Sequence, residues 1–103
     1  MYAGTKGAFA AMSRAMAWSL GPHGIRVNTL APGLTLTEVV ANVAQEPGNE
    51  NRFRAWHATG EISTVEETGR VAVFLLSDSS TAITGTELIA DKGMATRLGD
   101  LQS

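Results

Sequence analysis

Tyr2 and Lys6 stand four residues apart, and on a helix that spacing puts both side chains on one face. A free tyrosine holds its proton up to a pH of about 10. A neighbouring ammonium favours the phenolate and lowers that value. Such a pair is able to give a proton to a carbonyl oxygen or take one from an alcohol. Spacing alone leaves a plainer reading open, a helix-start tyrosine and lysine in solvent, because perturbed pairs also occur at structural positions.

The other residues of chemical interest point away from a site. His23 and His57 are far apart and lack an acidic partner at ligand spacing, so neither is expected to bind a metal. Asn28 falls within a predicted strand, where an amide usually satisfies nearby backbone. Trp18 and Trp56 are expected to pack rather than to stack on a ligand. There is no cysteine, which removes disulfide and thiolate chemistry and fits a reducing compartment.

The elements that would carry the pair read as follows. Residues 3–20 form a helix with Phe9, Met12, Met16 and Leu20 at helical spacing and Ala8, Ala11 and Ala15 beside them. Gly21-Pro22-His23-Gly24 stops it. "IRVNTL", residues 25–30, is β-branched and predicts a strand, with Ala31-Pro32-Gly33 as the loop after it. Residues 34–64 read as a mobile excursion with one or two short helices, broken at Glu46-Pro47-Gly48-Asn49 and helix-like around Arg52–Trp56. Thr64 and Glu67 have capping-box spacing, which starts a second helix. Val71, Val73, Phe74, Leu75 and Leu76 predict burial on more than one side of it. Ser77–Ser80 is turn-like, "TELIAD" at 86–91 is a second strand, and a tail begins at Gly93.

Helix, strand, long excursion, helix, strand is an α/β order, and a strand–helix–strand crossover implies a parallel pair. Two parallel strands do not make a covered sheet by themselves. The expectation is a piece of a larger α/β domain, with 103 residues bounding one domain at most. Apolar residues make up 44% of the chain and charged residues 17%, a globular balance. A net charge of −2 gives no reason to expect nucleic acid or an acidic membrane as partner. No run approaches the roughly 20 apolar residues that cross a bilayer. No secretion signal opens the chain, so a cytoplasmic protein is expected.

"YAGTK", "PHGIRVNTLAPG", "FLLSD" and "ITGTELIADKG" follow one another in this order and spacing. Together they closely resemble the C-terminal portion of the short-chain dehydrogenase/reductase family, over nearly all of residues 2–95 and most weakly over 39–63. The resemblance implies the C-terminal part of a Rossmann-type doubly wound parallel sheet, in an NAD- or NADP-dependent oxidoreductase interconverting a carbonyl and a secondary alcohol. By that resemblance Tyr2 is the catalytic acid/base. Lys6 tunes it and binds the nicotinamide ribose. Pro32 and Gly33 pass beside the nicotinamide, and the Thr35 backbone and Thr37 hydroxyl contact the cofactor. Residues 34–64 are the substrate lid over a small-molecule carbonyl or alcohol. The second helix and last strand often build a dimer interface in the family, so a homo-oligomer is implied.

The residues also admit plainer roles. Gly33 is suited to a turn, and Thr35 and Thr37 to a helix start. The 103 residues hold neither the family's glycine-rich phosphate-binding turn nor its serine upstream of the tyrosine. Its asparagine also lies upstream and is not Asn28. The usual Asp-Gly-Gly is Asp91-Lys92-Gly93 here. A chain starting in mid-domain is therefore expected, as a truncated gene product, a misplaced start codon or a fragmentary assembly. A non-catalytic remnant or an oligomerisation piece is the rival reading.

Overall fold

The computed structural model describes the backbone of residues 2–96 and the side chains of residues 7–96. Helix α1 spans Tyr2–Leu20. Proline at the next turn ends it, and Gly24 at φ 75° takes the left-handed conformation that a side chain resists. Strand β1 is Thr29–Pro32, β2 is Thr35–Leu36, α2 is Glu38–Ala44 and α3 is Asn49–Ala55. Strand β3 is Ser63–Thr64, α4 is Val65–Leu76 and β4 is Glu87–Ala90. Short 3₁₀ turns cover Gly21–His23, Asp78–Ser80 and Met94–Thr96. The α/β order expected from sequence is present.

The first strand is displaced from its expected place. It begins at Thr29 rather than at residue 25, and it runs through Pro32, a residue that the sequence places in the following loop. Residues 25–28 are held by a mixture of bonds rather than by a regular ladder. Val27 N donates to the Thr84 hydroxyl at 3.1 Å, and Gly85 N donates to Val27 O at 2.7 Å. Thr29 N then donates to Thr86 O at 2.9 Å. The partners advance in the same direction, so β1 and β4 pair in parallel. Strands β2 and β3 form a second parallel pair, Thr35 opposite Ser63 and Leu36 opposite Thr64. Two-residue strands are too short to leave a periodic signal, and neither was expected.

The chain divides into two compact units, Met1–Ala31 with Ala72–Leu88 and Pro32–Val71 with Ile89–Ser103. Among the described residues of the first unit the buried apolar side chains are small: Ala10, Ala17 and Ala31. The face of α1 that carries Ala10, Ser13 and Ala17 is the packed one. The Thr29 hydroxyl donates to Ser13 Oγ at 2.7 Å, and Ala17 lies against Gly85. Small side chains allow this close approach. The larger stripe is outside: Phe9, Met12 and Met16 are exposed, and Trp18 is 87% exposed rather than packed.

Helix α4 also differs from expectation. No residue of it is buried, and Val73, Phe74 and Leu76 are exposed. Its apolar side chains have too few partners among the described residues to be covered on two sides. Its C-terminal end is nevertheless well held. Arg26 donates to the carbonyls of Leu75, Ser77 and Ile83 at 3.0–3.1 Å, placing a cation where the helix dipole favours one. The fully buried Ser80 hydroxyl lies 2.8–3.1 Å from the carbonyls of Phe74, Leu75 and Ser77. Asn28 has the structural role expected of it. Its Nδ2 donates to Ile83 O at 2.9 Å, and its Oδ1 accepts from Thr86 N at 3.1 Å.

Candidate functional site

Tyr2 and Lys6 belong to the first turns of α1, one helical turn apart on its backbone. Their side chains lie outside the described residues. The helix that carries them continues without interruption to Leu20, so the expected i, i+4 spacing is a helical one.

Pro32, Gly33, Thr35 and Thr37 fall in the second unit. Pro32 closes β1, and the next five residues fold back through their own hydrogen bonds. The Thr35 hydroxyl donates to Gly33 O at 3.3 Å, and Thr37 N donates to Thr35 O at 2.8 Å. The Thr37 hydroxyl accepts from Val40 N at 3.3 Å and caps α2. That bond uses the oxygen as acceptor and leaves the hydroxyl proton without an acceptor among the described residues. Gly33 is required by space. A Cβ there would stand 2.5 Å from Asp91 Cβ and 3.1 Å from Asp91 Cα. The loop and the turn after β4 therefore approach more closely than any side chain at 33 allows.

That turn is the feature whose part the sequence reading did not foresee. Asp91 is buried, and its carboxylate accepts from Gly93 N and Ala95 N, both at 2.9 Å. Lys92 adopts φ 55°, the left-handed region, although it is not glycine. Gly93 follows at φ 85°, so two consecutive residues of Asp91-Lys92-Gly93 lie in the left-handed region. The Lys92 ammonium bonds Glu67 at 2.8 Å and Glu61 at 3.3 Å. The departure from Asp-Gly-Gly was the available signal, but local sequence does not say which carboxylates a lysine reaches.

The excursion between Gly33 and Thr64 holds α2 and α3, with the expected polar break between them. Arg54 pairs with Glu50 at 2.9 Å, and Phe53 packs on Trp56 with ring centroids 5.1 Å apart. His57 is buried with Nδ1 donating to Phe53 O at 2.7 Å. Its Nε2 is buried with no partner among the described residues. The capping box expected at the end of the excursion is complete. Thr64 N donates to Glu67 Oε1 at 2.9 Å, and Glu67 N donates to the Thr64 hydroxyl at 3.1 Å. Lys92, with help from Thr64 N, pulls the Glu67 carboxyl down to about 2, and Glu67 raises the Lys92 ammonium above its ordinary value.

A cavity of about 390 Å³ opens within this unit. Leu36, Ala44 and Ile62 give it an apolar side, and Arg54, Glu67 and Lys92 a charged one. Each of those charged groups is already paired within the unit. Among the described residues no cluster suits a metal ion, and no helix is long and apolar enough to cross a membrane.

Residues 1–95 match the family model described as enoyl-(acyl carrier protein) reductase. The chain belongs to the short-chain dehydrogenase/reductase family. It is 35% identical over 92 residues to carbonyl reductase [NADPH] 2 of Sus scrofa, covering 89% of this chain and 38% of that protein. It is 39% identical over 99 residues to the L-rhamnose 1-dehydrogenase (NADP(+)) of Thermoplasma acidophilum, covering 94% of this chain and 38% of that protein. A short-chain type dehydrogenase/reductase from Mycobacterium ulcerans superposes with a TM-score of 0.83 at 31% identity, over 95% of this chain and 36% of that one. A 4-hydroxyisoleucine dehydrogenase complexed with NADH shares the fold, with a TM-score of 0.84 at 23% identity, over 94% of this chain and 40% of that one. The short-chain dehydrogenase/reductase chain described here thus spans little more than a third of its relatives' length.

Proposed function

We propose that these 103 residues are the C-terminal part of one Rossmann-type domain in an NAD(P)-dependent oxidoreductase that interconverts a carbonyl and a secondary alcohol. In this reading α1 is the proton-transfer helix, and residues 34–64 are the substrate lid. The observation that carries it is the match over residues 1–95, within which the Tyr2–Lys6 spacing falls on continuous helix.

Tyr2 gives its proton to the carbonyl oxygen in reduction and takes it back from the alcohol in oxidation. Lys6 holds the phenolate form accessible near neutral pH and donates to the nicotinamide ribose. Pro32, Gly33, Thr35 and Thr37 hold the nicotinamide end, the Thr37 hydroxyl proton being the donor. A nicotinamide held there would supply or accept the hydride. Two relatives carry NADPH or NADP(+) in their names, and two solved neighbours are complexes with NADH. Either dinucleotide therefore suits the reading. A small-molecule substrate, a cytoplasmic location and assembly as a homo-oligomer complete it.

A second reading has one observation in its favour. The exposed stripes of α1 and α4 suit a non-catalytic interaction piece of such an enzyme. Joining the chain behind the N-terminal half of a short-chain dehydrogenase/reductase separates the two. Oxidation of NADH or NADPH on addition of a carbonyl panel is the expected result. A folded fusion that turns over with neither dinucleotide would overturn the enzymatic reading.

A further inference from the structure

We propose that Lys92 is a positioning residue that fastens the end of the 34–64 excursion onto the turn after β4, the same turn against which Gly33 seats its start. At the start, Gly33 lies so close to Asp91 that a Cβ would meet the Asp91 Cβ at 2.5 Å. At the end, Gly93 approaches Ala58 equally closely, with Ala58 Cβ 2.5 Å from where its own Cβ would stand. Thr59 N donates to Lys92 O at 3.3 Å. The Lys92 ammonium reaches Glu61 at 3.3 Å and Glu67 at 2.8 Å, and Glu67 is the carboxylate that closes the capping box with Thr64. Three consecutive residues, Asp91, Lys92 and Gly93, thus touch both ends of the excursion.

The backbone alone does not ask for lysine at 92. At φ 55° glycine would sit without strain, and a side chain is disfavoured. Such strain persists where the surroundings hold it in place. What lysine adds is one cation between two carboxylates. Its side chain is only 17% exposed, while that of Glu61 is 70% exposed. The lysine is the anchored partner, and Glu61 is the one drawn in. The excursion's exit is therefore held by charge as well as by packing. Any consequence for turnover rests on the proposed lid role; the fastening itself does not.

Hydrogen exchange of the 103-residue chain, read by mass spectrometry, tests the fastening without any assay of activity. Lys92→Gly relaxes the backbone and removes the cation, so its urea midpoint stays level or rises while local protection falls. Exchange over residues 58–64 is expected to quicken about two- to five-fold in Lys92→Gly and in Lys92→Met. Lys92→Arg restores it, and exchange over residues 13–20 keeps its rate in all three variants. Unchanged or slower exchange over 58–64 in Lys92→Gly would overturn the proposal. So would a Lys92→Arg variant that exchanges as fast as Lys92→Met.

Discussion

At the scale of single residues, two positions in the second unit make sharp claims. Gly33 meets the Asp91 side chain and backbone together, so an added methyl cannot be absorbed by rotating a flexible tip. Gly33→Ala is expected to lower stability by about 1–3 kcal/mol, measured as a shifted urea midpoint with an unchanged slope. A variant as stable as the parent would show that the loop and the turn are free to part. Glu67 carries the pH dependence. Its carboxyl is lowered from 4.5 to about 2, first by the bond from Lys92 and then by the bond from Thr64 N. A depressed carboxyl contributes stability that is fully present above about pH 4.5 and is lost as the pH falls through about 2. Denaturation midpoints followed across that window should fall for the parent and fall less for Glu67→Gln. Parallel curves would remove Glu67 as the source. The Glu67–Thr64 pair was legible in the sequence because a capping box is local, spanning four residues. Lys92 as its third partner was not, because an ion pair across 25 positions leaves no local trace.

At the scale of elements, the capping box is the start signal of α4 and the point where the excursion rejoins the fold. The Thr64 hydroxyl accepts from Glu67 N, so Thr64→Ala leaves a helix-start donor without its partner. The expected cost is about 1 kcal/mol, seen in a thermal or urea melt. Adding Glu67→Gln should cost less than the two single changes summed, since both belong to one network. Full additivity would mean that the box is not a unit. Helix limits were readable wherever proline, glycine or a cap marks them, as at Gly21–Gly24 and at Thr64. The strands were harder to read. Ile25 and Val27 are β-branched, but the Ile25 amide bonds back to Leu20 O, and the Val27 backbone bonds go to a threonine hydroxyl and a glycine amide. The ladder therefore begins only at Thr29. Strands β2 and β3 exist because Gly33 and Thr35 turn the chain back toward Ser63, a pairing set by tertiary placement.

At the scale of the whole molecule, the buried apolar side chains among the described residues are three alanines, while Phe9, Met12, Met16, Trp18, Val73 and Leu76 are exposed. The apolar stripe of α1 was legible in the sequence, but which face the fold covers was not. Small residues win the close contact with Gly85, and large ones are left for another surface. Burying one large apolar side chain contributes about 1.5–3 kcal/mol, so this many exposed ones forfeit a sum comparable to a domain's stability of about 5–15 kcal/mol. The 103-residue chain alone is expected to self-associate or to melt broadly, with a midpoint that rises with concentration in sedimentation and urea series. A compact monomer with a sharp, concentration-independent melt would contradict that expectation. The central claim is the proton transfer at Tyr2, and one measurement reaches it most directly. In the fusion to an N-terminal half, turnover of Tyr2→Phe is compared with that of the parent. The account predicts a loss of about 10²–10⁴-fold with the dinucleotide still bound. A phenylalanine variant that keeps near-full turnover would contradict it.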